Sequence, residues 1–169
     1  MRRRKTALIC VLLILMAAAL GILGWRIWVT VEKQKLHQAI MDVWNADTPE
    51  DMPEYLQYLD RVSRFQIDSI DKGEPWVITV TVKSPDLAAE LQKEDPWQYY
   101  GEADAEAMDE YMLALARTAR LTEQTATIYV WPESDGYRVQ FTETFVDAMT
   151  GGIYGYTIDL IEEVAGGAA

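Results

Sequence analysis

Apolar residues run without a charge from Ala7 to Trp25 (ALICVLLILMAAALGILGW) and continue through Ile27 and Trp28. At a rise of about 1.5 Å per residue, a helix of that length reaches roughly 28 Å, the thickness of a bilayer's hydrocarbon core. The pattern predicts a transmembrane helix over 7–28, entered from a short basic tail over 1–6. Leu36, Ile40, Val43 and Trp44 then keep helical spacing, which predicts a juxtamembrane stalk helix over 29–46.

A domain over 47–164 follows, with a short flexible tail over 165–169. Thr48-Pro49-Glu50-Asp51 predicts a helix start: Thr48 caps, Pro49 takes the first helical position and Asp51 closes a near capping box. That helix would bury Met52, Tyr55, Leu56, Leu59 and Val62. From Phe65 the period changes to two. Phe65 and Ile67 mark one strand, Asp71-Lys72-Gly73-Glu74 a turn, and Trp76, Ile78, Val80 and Val82, alternating with Val77, Thr79, Thr81 and Lys83, the next. Ser84-Pro85-Asp86 opens a short helix to Lys93, ended by Asp95-Pro96, and a loop with Trp97, Tyr99 and Tyr100 follows. Ala105, Met108, Met112, Leu115 and Ala119 form the apolar stripe of an amphipathic helix over 104–121. A second hairpin pairs the alternation of Ala126, Ile128 and Val130 with that of Tyr137, Val139 and Phe141, turning at Glu133-Ser134-Asp135-Gly136. The domain is α+β.

The last apolar set, Phe145, Met149, Ile153, Tyr156 and Leu160, keeps helical spacing through Gly151, Gly152 and Gly155. A glycine inside a helix costs roughly 0.5–1 kcal/mol relative to alanine. Three of them therefore mark a close approach or kink against the sheet, a break after Met149, or a ligand contact, in that order of preference.

Charge sets the topology. Arg2, Arg3, Arg4 and Lys5 precede the apolar run, which places the N-terminus in the cytoplasm and the domain outside the cell membrane as a single-pass protein. A cleaved signal peptide is the alternative, with small residues at Ala17-Ala18-Ala19, but the apolar run continues past them. All 27 acidic residues lie beyond the run, where they outnumber the basic ones and exclude nucleic acid as a partner. Cys10 lies within the membrane run, so no intramolecular disulfide forms, and His37, the only histidine, lies on the stalk. Catalytic triads and zinc sites of the usual ligands are thereby excluded. Asp68, Asp71 and Glu74 fail the spacing of a calcium loop, and neither metal nor cofactor is expected. Glu102, Asp104, Glu106, Asp109 and Glu110 read as a solvated face favouring the helix dipole. Ala17-x-x-x-Gly21 offers a homodimer face in the anchor.

The order of helix, hairpin with Thr-Val-Lys-Ser-Pro-Asp-Leu, amphipathic helix, second hairpin with Asp135-Gly136-Tyr137-Arg138-Val139, and Phe145-Val146-Asp147-Ala148-Met149-Thr150-Gly151-Gly152 resembles small membrane-anchored or lipoprotein domains of unknown function in Gram-positive bacteria. Those are similar to the nuclear-transport-factor-2-like, or cystatin-like, superfamily. The resemblance implies a curved antiparallel sheet packed against helices, a cone that holds a pocket in some members, and functions from isomerase or dehydratase to binding and assembly. A non-catalytic binding or accessory domain for a protein or small-molecule ligand is the first expectation. An assembly subunit of an envelope machine, such as a conjugation or type IV secretion complex, is the second, and a pocket enzyme the third. Trp76, Trp97, Tyr99, Tyr100 and Trp131 read first as core and second as a pocket wall. Any pocket is expected between the loop 97–100 and the start of the last helix at Met149 and Gly152, where side-chain bulk is low.

Overall fold

The computed structural model describes residues 28–46, 49, 51–93 and 105–166. The backbone is helical over 28–46 (α1). Among the described residues no helix is long and apolar enough to cross a membrane. The predicted span, except for Trp28, and the aromatic loop 97–100 lie outside the described residues. The chain divides into two compact units, Met1–Ile40 and Met41–Ala169, and the second contains the sheet.

That unit is α+β. Its four strands, β1 (Arg64–Asp71), β2 (Trp76–Pro85), β3 (Leu121–Glu133) and β4 (Gly136–Phe141), form one antiparallel open sheet in sequence order. Both predicted hairpins are present. Helices α2 (Glu54–Val62), α3 (Leu87–Leu91), α4 (Ala105–Thr118), α5 (Glu143–Met149) and α6 (Ile153–Gly166) complete it. On one face of the sheet Phe65, Ile67, Ile78, Val80, Val82, Ala126, Ile128 and Val130 are buried. The α5 residues Phe145, Ala148 and Met149 are buried as well, and α5 lies across β2 and β3. A second cluster joins Leu59, Leu87, Leu91, Met112 and Ala116, linking α2, α3 and α4, with Ile153 and Tyr156 of α6 against it.

Two helix starts differ from the sequence pattern. The second helix begins at Glu54 with Pro53 at the cap position, not at Thr48. A helix begun at Pro49 would carry Pro53 inside it, where the ring lacks an N–H and strikes the preceding turn. The exposed first turn is instead capped from another helix: Asp109 of α4 accepts hydrogen bonds from the backbone N–H of Glu54 (2.9 Å) and Tyr55 (3.1 Å). Asp109 is thus more than a solvated acid. Likewise Ser84 and Pro85 belong to the end of β2, and Asp86 caps α3 by accepting from the N–H of Ala89 at 3.1 Å.

The last helix is two helices, because Gly151 (φ +69°) and Gly152 (φ +81°) both take left-handed backbone conformations. The N–H of Gly151 donates to the carbonyl of Ala148 and that of Gly152 to Asp147, the paired hydrogen bonds of a Schellman stop. Close approach operates at the same place: a β-carbon on Gly151 would be driven into the carbonyl oxygen of Pro85, and one on Gly152 would lie 2.8 Å from the Ala88 β-carbon. Gly155 has a further role, since its N–H donates to the Asp147 carboxylate at 2.7 Å, so that α5 caps α6.

Buried serines complete the end of α5. Helix C-termini leave carbonyls unpaired, and a buried unpaired carbonyl is costly. Ser84 donates to the Ala148 carbonyl at 2.7 Å and Ser63 to the Met149 carbonyl at 3.0 Å, both inside the protein. Ser84→Ala is expected to lower unfolding free energy by about 1–3 kcal/mol, the penalty for stripping a buried acceptor of a partner. Chemical denaturation of the variant measures it, and an unchanged midpoint would show that the Gly151 N–H alone satisfies that carbonyl.

Candidate functional site

The C-terminal half of α5 also forms one wall of an apolar cleft. Val146, Met149 and Thr150 follow helical spacing on one side of α5, and Leu56, Leu59 and Asp60 do the same on α2. Trp44, Pro49, Met52 and Phe141 complete the lining of a cleft of about 260 Å³. The lining rings Trp44 and Phe141 belong to an aromatic cluster that continues into the core at Phe145. Phe145 stacks on Phe141 with ring centroids 5.1 Å apart, and the Trp44 indole stands edge-on to both rings, at 5.4 Å from Phe141 and 5.6 Å from Phe145.

Among the described residues of the lining, Asp60 is the one carboxylate. The Trp44 indole N–H donates to Asp60 Oδ1 at 2.6 Å. Among the described residues Asp60 Oδ2 has no hydrogen-bond or ion-pair partner. The two nearby arginines turn away: Arg61 donates to the carbonyl of Gln57 and Arg64 to that of Ser63. Asp60 also lies in the last turn of α2, where a negative charge opposes the helix dipole. Helix stability therefore does not explain an acid at this position.

Four of the sequence-predicted site residues, Trp76, Trp131, Met149 and Gly152, are described, and they lie in different places. Met149 lines the cleft, while Gly152 lies at the helix break against Ala88. Strand register separates the two strand tryptophans. Trp76 pairs with the buried Val130 and so shares the helix-covered face, where it meets Tyr137 at 6.1 Å. Trp131 points to the opposite face, where the Arg138 guanidinium lies 4.3 Å from its ring centroid. One pocket wall cannot contain both. Trp97, Tyr99 and Tyr100 lie outside the described residues. Among the described residues no three His, Cys, Asp or Glu side chains gather as metal ligands; Asp68 accepts instead from Thr81 Oγ1 at 2.7 Å.

Sequence reasoning missed Trp44 and Asp60 as partners. Trp44 falls on the apolar stripe of the predicted stalk helix, and in sequence Asp60 is one of 27 acidic residues. The available signal was Leu56-x-x-x-Asp60 on the apolar side of a short amphipathic helix, where a polar residue interrupts the stripe. Compared with known proteins, the chain matches no family model, no curated protein and no solved structure.

Proposed function

We propose that the chain is a single-pass cell-membrane protein with a cytoplasmic N-terminus, whose extracytoplasmic domain of the nuclear-transport-factor-2-like, cystatin-like type binds a small ligand with an apolar body without catalysing a reaction. The cleft between α2, α5 and Phe141 carries this reading: concave and mainly apolar, with Asp60 and Thr150 as the polar side chains among its described lining residues, it has the composition of a ligand site. The anchor and orientation rest on the uncharged run Ala7–Trp25 behind Arg2 to Lys5. Binding is preferred to catalysis because, among the described residues, the lining holds Asp60 with no tyrosine, histidine or cysteine beside it. The isomerase-like alternative needs a carboxylate paired with such a group.

The reading is tested by ligand-dependent melting of the full chain. A short neutral alcohol such as hexanol is expected to bind the native cleft and to raise the melting temperature by mass action. Val146→Phe fills the cleft and is expected to abolish the rise. An equal response in wild type and Val146→Phe contradicts binding in this cleft. Protease added to intact cells should digest the domain, and its protection would reverse the topology.

One observation favours the assembly reading. Tyr154, Ile158 and Ile161 are exposed along one stripe of α6. If that stripe seats a subunit, Ile158→Asp with Ile161→Asp releases the chain from a larger complex in native-membrane electrophoresis without lowering its melting temperature. The binding reading predicts unchanged migration.

A further inference from the structure

We propose that the cleft selects a small amphiphilic organic cation, an alkyl- or arylalkyl-ammonium compound, with Asp60 holding the charged end. The inference rests on the reading of the cleft as a ligand site and adds the chemical class of the ligand. It starts from the unused oxygen of Asp60. An acceptor for the Trp44 indole N–H needs no charge, because an asparagine oxygen can also accept it. The carboxylate adds a negative charge on an apolar wall, at the helix end where it is least favoured, with Arg61 and Arg64 both turned to backbone carbonyls. A charge in such surroundings is stabilised by an opposite charge, and the protein supplies none among the described residues.

Size and polarity narrow the ligand. The volume of about 260 Å³ equals the share of roughly nine waters at about 30 Å³ each, the size of a compound of similar heavy-atom count. Met52, Leu56, Phe141, Val146 and Met149 give an apolar body its contacts. A peptide fits poorly, because each residue would bring a backbone N–H and C=O into a cleft whose lining offers little to pair with them. The net negative charge of the chain also raises the concentration of small cations near its surface.

The test is calorimetric titration of the full chain in lipid nanodiscs with three six-carbon probes of matched shape: hexylammonium, hexanol and hexanoate. Nanodiscs carrying Val146→Phe provide the blank for partition into lipid. Hexylammonium is expected to bind about tenfold more tightly than hexanol, and hexanoate more weakly than either. Asp60→Asn keeps an acceptor for the indole and is expected to bring hexylammonium down to the affinity of hexanol, leaving hexanol unchanged. Equal affinity of wild type for hexylammonium and hexanol would overturn the cation preference while leaving the cleft a ligand site. Failure of all three probes to bind above the blank would remove the ligand-site reading as well. Nα-acetyl-lysine methylamide is expected to bind more weakly than hexylammonium. Equal binding would overturn the small-molecule assignment.

Discussion

Phe145→Ala is expected to lower the unfolding free energy by about 3–5 kcal/mol, the usual range for emptying an aromatic site in a packed core. The ring is fully buried at the meeting point of the sheet, α5 and the end of α1. It stacks on Phe141 and meets Trp44 and Phe65 edge-on, each with centroids 5.6 Å away. Its removal would strip contacts from three aromatic rings at once. Those rings are held by different elements and cannot all move to close the space, so the cavity term adds to the lost transfer energy. The melting temperature should fall by about 10 °C or more for a domain of this size. Phe145→Leu, which keeps much of the volume, should lose less than half as much. Equal losses for Leu and Ala would mean that ring geometry, and not volume, holds the site together.

Gly151→Ala is expected to destabilise the protein by about 2–5 kcal/mol, from two additive causes. A left-handed conformation costs an L-residue about 1–2 kcal/mol, and Gly151 holds φ at +69°. The added β-carbon would also run into the Pro85 carbonyl oxygen, a backbone atom fixed in β2 that no side-chain rotation can move. Retreat of the helix end would break the hydrogen bond from the Ala88 N–H to the Gly151 carbonyl (3.0 Å) and the Ser84 bond to the Ala148 carbonyl. Gly136 provides the control. A β-carbon there meets nothing within 4 Å and its φ is not positive, so Gly136→Ala should change stability little. Denaturant titration of the three proteins measures both effects. Equal midpoints for Gly151→Ala and Gly136→Ala would show that the break at Gly151 relaxes without consequence.

Much of the sheet was legible because one face is buried and the other is not. The alternation through Ile78, Val80, Val82 and through Ala126, Ile128, Val130 survives intact in the burial of β2 and β3. Where the backbone departs from regularity, the alternation fails as a guide. The register of β1 shifts between Ile67 and Ser69, a bulge that lets Ile67 and Ile70, three positions apart, pair with Val80 and Ile78, two positions apart. The break at Gly151 and Gly152 was legible as a glycine cluster, but Phe145, Met149, Ile153 and Tyr156 keep helical spacing on both sides of it. Periodicity alone therefore cannot separate one helix from two.

The cleft was less legible, because its parts come together only through tertiary structure. Met52, Leu56 and Leu59 belong to one predicted apolar helix face, and they line the cleft from that helix or from just before it. Nothing local to Trp44 or Asp60 announces that they meet, since a hydrogen bond across 16 positions of sequence leaves no periodic trace. The same holds for Asp109, whose partners at Glu54 and Tyr55 are more than fifty residues away. Single acids that cap distant helices or stand in clefts look identical, in sequence, to acids that only keep a surface soluble.

The central claim, that the cleft between α2 and α5 is a ligand site, is tested most directly at Met52 and Met149, which line it and are two of the seven methionines of the chain. With methyl-¹³C-methionine label in the full chain, and these two signals assigned by Met52→Leu and Met149→Leu, hexylammonium should shift both resonances along one saturable curve while the other methionines stay in place. Val146→Phe should abolish the shifts. Methyl signals of Met52 and Met149 that stay fixed, or that drift linearly together with all the others, would contradict the assignment of a ligand site to this cleft.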